Sequence, residues 1–328
     1  MKAIVFDEFG SSDVLRLAEA PMPEVRPDDL LVKVMAAGVN RADLLQREGV
    51  YGSQSYGDSD VLGLEVAGEV IDAGNAVTGF AVGDRVMGIV GGGAYAQYAR
   101  LDSGMATAIP AGMSFTDAAA VMESFVTAWE ALAHLGRVAE GEIVLIHAAA
   151  GGIGSAAVQL AKAVGATVLA TASGNNVENV LALGADAVFD YKRVDFEAEI
   201  IDVTASHGAD LIIDFVGGSY LARNIRSLAP GGRLVQVGLL GRDGDAIIPL
   251  GTVLHNHLQL LGTVMKSRSR SEKRAMICRF RDDVLPMMGK ELQPVVGALY
   301  PLSATSDAHR RMEAGGVFGK IVLGDFHE

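Results

Sequence analysis

Between Ala3 and about Arg100 the apolar residues come in short runs, at 30–34, 68–72 and 84–87, each closed by Gly, Pro or Asp. Many short runs bounded by turn residues predict a compact β domain. From Phe115 to Leu135 the spacing changes to threes and fours, through Ala118, Val121, Phe125, Ala128, Trp129 and Leu132, and predicts a helix at a boundary. Beyond Glu142 apolar strands alternate with amphipathic helices. The strands fall at 143–147, 167–170, 187–190, 211–215, 233–237 and 258–263, and the helices start at Ser155, near Val177, near Phe196 and at Ser219. Such alternation predicts an α/β domain with a parallel sheet wound with helices. A charged helix at 270–287, a strand near Leu299, a helix at 304–314 and a strand at 319–323 close the pattern. This tail is expected to complete the first domain, which gives domains of 1–124 with 264–328, and 125–263.

Composition agrees with two cores: 328 residues, half of them hydrophobic, with 40 glycines. The formal net charge of -13 argues against polyanion binding through the whole surface. Cys278 is the only cysteine, which removes any intrachain disulfide and any zinc site needing two thiolates, and fits a reducing compartment. Met1 leads straight into Lys2-Ala3-Ile4-Val5-Phe6 with no secretory pattern, so a cytoplasmic location is expected. The most apolar region, 143–172, is interrupted by glycines, His147, Gln159 and Lys162, and reads as a buried strand-helix-strand unit with no membrane role.

The candidate chemistry begins where the strand at 143–147 runs into Ala148-Ala149-Ala150-Gly151-Gly152-Ile153-Gly154-Ser155 and then a helix. A strand, a small-residue turn and a helix start present unpaired N–H groups and a positive dipole end to a pyrophosphate, so Ala150, Gly151, Gly152, Ile153 and Gly154 are the expected dinucleotide loop. At the end of the next strand, where NAD enzymes place a carboxylate for the ribose hydroxyls, stands Thr171-Ala172-Ser173-Gly174-Asn175-Asn176, with no acid. The absence permits NADP. Ser173, Asn175 and Asn176 have hydrogen bonds to offer a 2′-phosphate and Lys192 a charge; a solvated polar turn is the plainer reading. Val216-Gly217, Gly238-Leu239-Leu240 and Met265 end later strands at the carboxyl edge where open α/β sheets bind ligands, and are expected beside the nicotinamide.

The whole chain resembles the medium-chain dehydrogenase/reductase superfamily, and within it the zinc-free quinone oxidoreductases related to zeta-crystallin. The resemblance is carried by Gly141-Glu142 through Leu145, Ala149 to Gly154 with Gln159 and Lys162, Asn40-Arg41-Ala42-Asp43 with Gln46 and Tyr51, residues 63–68 and 82–86, and Gly319-Lys320-Ile321-Val322-Leu323. Residues 46–51, 121–125 and 217–220 are most similar to the tumour-suppressor-inducible branch. The resemblance implies a GroES-like partial β-barrel domain plus a Rossmann doubly wound domain that binds NADP(H). Family members often carry a lysine after the second Rossmann strand; here Asn176 and its neighbours stand in its place.

The resemblance also implies site residues. Asn40 and Tyr51 would lie near nicotinamide and substrate, Tyr51 as proton donor or oxyanion partner, or as an aromatic wall. Thr127 corresponds to a nicotinamide-ribose contact, or simply bonds its own helix backbone. Tyr191 corresponds to a tyrosine beside the adenosine phosphate, or is a structural strand-end residue. Phe318-Gly319-Lys320 would return near the cofactor, unless Lys320 is an exposed charge at a strand start. Zinc-dependent relatives carry histidine at Leu64 and cysteine at Asn40, so no metal is expected; His255 and His257 are the only close histidine pair. Without a Lewis acid the chemistry favours acceptors that are already electrophilic, quinones or enones, with NADPH as hydride donor.

The expected partners are therefore a small quinone or enone and a second copy of the chain, joined through the apolar strand at 258–262. An enoyl or alkenal reductase is the enzymatic alternative. A structural or RNA-binding protein of zeta-crystallin type is the other, resting on the basic run 266–281, whose Met276, Ile277 and Phe280 equally suit a packed helix with a solvated basic face.

Overall fold

The computed structural model describes residues 1–51 and 59–327. In chain order the elements are β1 (Lys2–Val5), β2 (Arg16–Glu19), β3 (Asp29–Val39), α1 (Arg41–Arg47), β4 (Glu65–Ala73), β5 (Arg85–Ile89), β6 (Tyr98–Asp102), β7 (Ala106–Ala108), α2 (Phe115–Ala118) and α3 (Met122–Trp129). Then follow β8 (Ile143–Ile146), α4 (Gly152–Val164), β9 (Thr167–Ala172), α5 (Val177–Ala182), β10 (Ala187–Asp190), α6 (Phe196–Val203), β11 (Ala209–Asp214), α7 (Tyr220–Ser227), β12 (Leu228–Gln236), α8 (Leu250–His255) and β13 (Gln259–Gly262). Finally come α9 (Arg270–Asp283), β14 (Val296–Pro301), α10 (Thr305–Glu313) and β15 (Lys320–Gly324). The chain divides into two compact units, Met1–Val126 with Ser269–Glu328, and Thr127–Arg268.

The first unit is built on a seven-stranded sheet of order β14-β15-β3-β4-β5-β7, with β6 on β3. The eleven-residue β3 is its spine: β4 runs along one edge, while β6 takes Asp29 to Lys33 and β15 takes Ala37 to Val39 on the other. Two register shifts against β4 bend it, as expected of a strand that curls a sheet toward a barrel. Leu30, Val32, Val34, Val66, Val86, Leu101, Ile321 and Leu323 form the core. The helix expected over 115–135 is broken. α2 ends at Ala118, α3 begins at Met122, and the turns over Glu130–Leu135 widen into a π-helix.

The second unit is a six-stranded parallel sheet of order β10-β9-β8-β11-β12-β13, the doubly wound arrangement that the alternating pattern predicts. Leu145, Leu169, Ile212 and Leu234 from adjacent strands pack with Phe196, Ile200 and Ile225 from the helices. In the first unit the charged helix α9 ends at Asp283, short of the expected Met287, because Pro286 cannot continue it; Leu285–Met287 forms a 3₁₀ turn. Among the described residues no helix is long and apolar enough to cross a membrane.

Candidate active site and nucleotide-binding loop

In the second unit the buried strand β8 delivers the chain into a turn held from two sides. Ala148 takes a positive φ of 48°, and Ala149 N–H donates to the Thr171 carbonyl at 3.0 Å. Gly154 lies so close beneath this turn that a Cβ there would sit 2.3 Å from the Ala148 carbonyl oxygen. The first turn of α4 carries no acidic residue, and the amides of Gly152, Ile153 and Gly154 precede any intrahelical acceptor. Ala150 to Gly154 thus make a cradle that only glycine completes, open to anionic oxygen, and the residues fit a dinucleotide pyrophosphate.

The neighbouring strand ends line up along the same edge. After β9, Asn176 is buried; its Nδ2 donates to Ser173 Oγ at 3.4 Å and its Oδ1 accepts from Asn179 at 3.3 Å, so its amide supports the turn from within. Beside it Gly174, Asn175, Val177, Glu178, Asn179, Asp190 and Arg193 line an open pocket of about 470 Å³. Arg193 faces Asp190 at 3.4 Å, and Tyr191 is exposed with the Lys192 ammonium 6.0 Å from its ring centre. After β11 the Asp214 carboxylate accepts from Val216 N–H at 2.6 Å and Gly217 N–H at 3.2 Å. After β12 Gln236 Nε2 donates to the Gly238 carbonyl at 2.7 Å, and Leu239 and Leu240 are exposed. Met265 follows β13, its carbonyl accepting from Arg268 N–H at 3.1 Å. Thr127, half-buried, lies in α3.

The first unit holds a separate polar cluster around α1. Asn40 precedes the helix; its backbone N–H donates to Asp43 Oδ2 at 2.7 Å, which also accepts from the Tyr95 hydroxyl at 2.8 Å. The Asn40 amide is used at both ends: Nδ2 donates to Glu65 Oε1 at 3.0 Å, and Oδ1 accepts from Lys320 Nζ at 2.6 Å. Lys320 also pairs with Glu65. Gly319, at φ +83°, turns the chain into β15 where a side chain would strike the Val295 carbonyl, and so aims Lys320 inward; Phe318, half-buried, precedes it. Lys320 is only 5% exposed and engaged by Asn40 and Glu65, so it is not the exposed strand-start charge that its position also suggests.

Burial first, then neighbouring charge, sets the acidities here. Asp43 is pushed from 3.8 up to about 7 by burial, against the pull of its two hydrogen bonds. Glu123, whose backbone N–H donates to Glu65 Oε2 at 3.0 Å, is raised from 4.5 to about 8 by burial and then by the Glu65 charge. Burial, followed by the charges of Glu123 and Asp43, raises the Tyr51 phenol above its ordinary value. Burial thus makes the Tyr51 phenol and the Glu123 carboxyl hold their protons more tightly than in water, beside the Lys320–Glu65 ion pair. Asp43, Glu65, Tyr95 and Glu123 have no role visible in the pattern of the chain; the one signal is an acid set in an apolar run, as at Leu64-Glu65-Val66 and Met122-Glu123. Residues 52–58, which follow Tyr51, lie outside the described residues.

Where zinc-dependent relatives carry sulfur and imidazole, this cluster presents an amide already bonded at both ends and the apolar Leu64. Among the described residues no group of three or more His, Cys, Asp or Glu is arranged to hold a metal ion. His255 and His257 lie at and just beyond the end of α8.

A GroES-like β unit with a Rossmann unit defines the medium-chain dehydrogenase/reductase class. The alcohol dehydrogenase GroES-like domain family matches residues 26–111, and the zinc-binding dehydrogenase family residues 152–280. Quinone oxidoreductase of Sus scrofa is 33% identical over 98% of this chain and 97% of its own. The chain belongs to the quinone oxidoreductase family of that superfamily. It is also 32% identical, over 97% of its length, to a phenolphthiocerol/phthiocerol polyketide synthase of Mycobacterium tuberculosis, of which it spans 14%. Among solved structures, Escherichia coli quinone oxidoreductase complexed with NADPH gives a TM-score of 0.89 at 26% identity, covering 98% of this chain and 99% of that one. The CurK enoyl reductase gives 0.87 at 27% identity, covering 98% of each.

Proposed function

We propose that the protein is an NADPH-dependent, metal-independent reductase of quinones and similar conjugated carbonyls. The observation that carries this reading is the cluster of Asn40, Glu65 and Lys320: its ion pair is held by the chain's own side chains, beside two groups, the Tyr51 phenol and the Glu123 carboxyl, whose protons are held more tightly than in water. Reducing a conjugated carbonyl requires one hydride and one proton, and the charge arriving with the hydride is delocalised, so hydrogen-bond donors suffice to stabilise it. When bound, the nicotinamide supplies the hydride. Ala150 to Gly154 hold the pyrophosphate, Thr127, Val216, Gly238 to Leu240 and Met265 border the nicotinamide half, and Ser173, Asn176 and Tyr191 shape the adenosine end. Tyr51 delivers the proton or binds the acceptor oxygen. Asn40 keeps Lys320 and Glu65 in place, and Phe318 and Gly319 launch the strand that brings Lys320 in.

NADPH over NADH is supported by the acid-free segment 173–176 and by Arg193 in the adjoining pocket; Glu178 and Asp190 in the same pocket weaken the preference. The similarity to CurK favours one second reading, an enoyl reductase. The basic run speaks little for the RNA-binding alternative: Arg268 pairs with Glu130, Arg270 and Arg274 with Asp28 and Asp102, and Met276, Ile277 and Phe280 are buried. A homodimer through β13 and a cytoplasmic location complete the proposal. The test is consumption of NADPH and of NADH with ortho- and para-quinones, enals and enoyl thioesters. Quinone turnover with tighter NADPH binding is expected; preference for the thioesters moves the assignment to the second reading, and tight binding without turnover of any acceptor overturns both.

A further inference from the structure

Beneath the nucleotide-binding edge of the second unit four polar side chains lie in line, all but fully buried. Thr171 Oγ1 is 2.9 Å from His147 Nδ1, His147 Nε2 is 2.7 Å from Asn224 Oδ1, and Asn224 Nδ2 donates to Asp214 Oδ2 at 3.0 Å. The line has one consistent direction. A carboxylate only accepts, so the Asn224 amino group faces Asp214 and its carbonyl faces the ring. His147 Nε2 therefore carries the hydrogen, and Nδ1 keeps a lone pair that accepts the Thr171 O–H. Burial, helped by Arg223 and opposed by Asp214, holds the ring neutral, as this direction needs. Phe196 and Tyr220 pack against the ring edge-on, at centroid distances of 4.8 and 4.9 Å.

An apolar ring would fill the space between Phe196 and Tyr220 equally well, so packing alone gives no reason for a histidine. What the polar line adds is a connection between strand ends. His147 directly follows β8 at the start of the glycine-rich turn, and Thr171 lies near the end of β9 before the 173–176 segment. Asp214 ends β11 and takes Val216 and Gly217 N–H, fixing a turn in which Gly217 and Gly218 have φ of +69° and +54°. Gly217 in turn lies against Leu239: a Cβ there would be 2.6 Å from the Leu239 side chain.

We propose that His147 and Asn224 are positioning residues that fasten the three strand ends, at Ala148, Ala172 and Val216, into one register, so that the two halves of the dinucleotide are bound as a unit. The proposal rests on the reading of this unit as a nicotinamide-dinucleotide site.

The test uses the full chain and two variants. His147→Phe keeps the aromatic packing and removes both hydrogen bonds; His147→Gln restores a donor toward Asn224. Affinity is measured for NADPH and for adenosine 2′,5′-bisphosphate, which carries the adenosine half alone, together with amide exchange of Val216 and Gly217 and the unfolding midpoint. For His147→Phe the expected result is an NADPH affinity lower by about tenfold or more, the scale of unmade buried hydrogen bonds, with the fragment within about threefold of wild type. Exchange at Val216 and Gly217 should accelerate, and His147→Gln should recover most of both effects. Equal losses for NADPH and fragment, or a lowered midpoint with unchanged binding, overturn the positioning role and leave His147 a core residue. A wild-type chain that binds neither NADPH nor NADH overturns the dinucleotide reading itself, and the positioning role with it.

Discussion

A carboxyl as buried as Asp43 survives folding by keeping its proton or by finding donors, and Asp43 does some of each. Oδ2 accepts from Asn40 N–H and the Tyr95 hydroxyl, while Oδ1 has no hydrogen-bond partner among the described residues. Its folded pKa of about 7 lies above the ordinary 3.8, and that of Glu123, about 8, above 4.5. A raised pKa means that the folded state holds the proton more tightly than the unfolded chain does. The stability from these protons is complete below about pH 4 and is lost as the pH climbs through 7 to 8. Asp43→Asn preserves an acceptor for Tyr95 and cannot ionise, so its denaturation midpoint should fall less than that of wild type between pH 5 and 8; parallel profiles would show that Asp43 does not titrate there. At Tyr51 the prediction concerns chemistry. Tyr51→Phe should slow single-turnover hydride transfer by roughly ten- to a thousandfold with NADPH affinity unchanged, the scale of losing one oxyanion donor or general acid. A rate within a few-fold of wild type would make the phenol a wall of the pocket.

At the scale of elements, the turn between β8 and α4 leaves the least room for substitution. In Gly154→Ala the new methyl meets the Ala148 carbonyl, which is backbone and cannot swing aside, so α4 must move away from the turn. A loss of about 1–3 kcal/mol of stability is expected from the overpacking. NADPH affinity should drop by at least about tenfold, since the amides proposed to meet the pyrophosphate move with the helix. Denaturant melts with cofactor titration check both. This loop, like the parallel sheet around it, was legible in the chain because strand, glycines and helix are contiguous and each leaves a local period. The break between α2 and α3 was not. Apolar spacing runs unbroken through Ala118, Val121 and Phe125, whereas at the break the Ala119 carbonyl lies close against Gly38 of β3, and further on Glu130, at the start of the π-helix, pairs with Arg268, contacts between residues far apart in the chain. The cluster at Asn40 was legible only in part for the same reason. Asn40 and Tyr51 stand near each other in the chain, but Glu65, Glu123 and Lys320 reach the site through strand pairing and helix packing across long separations, and buried acids carry no period of their own.

Across the whole molecule, the excess of 13 negative charges is tempered by arginines held in ion pairs, such as Arg274 against Asp102 at 2.9 Å. The more telling surface feature is apolar. β13 ends its sheet, one edge unpaired among the described residues, and Leu260 on it, Leu239, Ile247, Leu250 and Leu254 are all exposed, Ile247 to 88%. An open apolar edge of this kind invites pairing with its symmetry mate. Light scattering at micromolar concentration should report a dimer, and Leu260→Lys should shift it to a monomer that still binds NADPH; a monomeric wild type would remove the proposal.

The order of strands in the first unit also sets a timetable for synthesis. β15 lies between β14 and β3, and it alone brings Lys320 to Glu65 and Asn40. The second unit, complete at Arg268, has all its strands before the ribosome reaches β15, so it has the means to fold while the first unit still lacks a strand beside its spine. Until that strand arrives, Glu65 lacks its ammonium and the edge of β3 at Ala37 to Val39 stays open. A chain interrupted before residue 320 would keep every strand of the second unit while its polar cluster remained unassembled, so the cluster waits on a strand made long after the acid and amide that it joins.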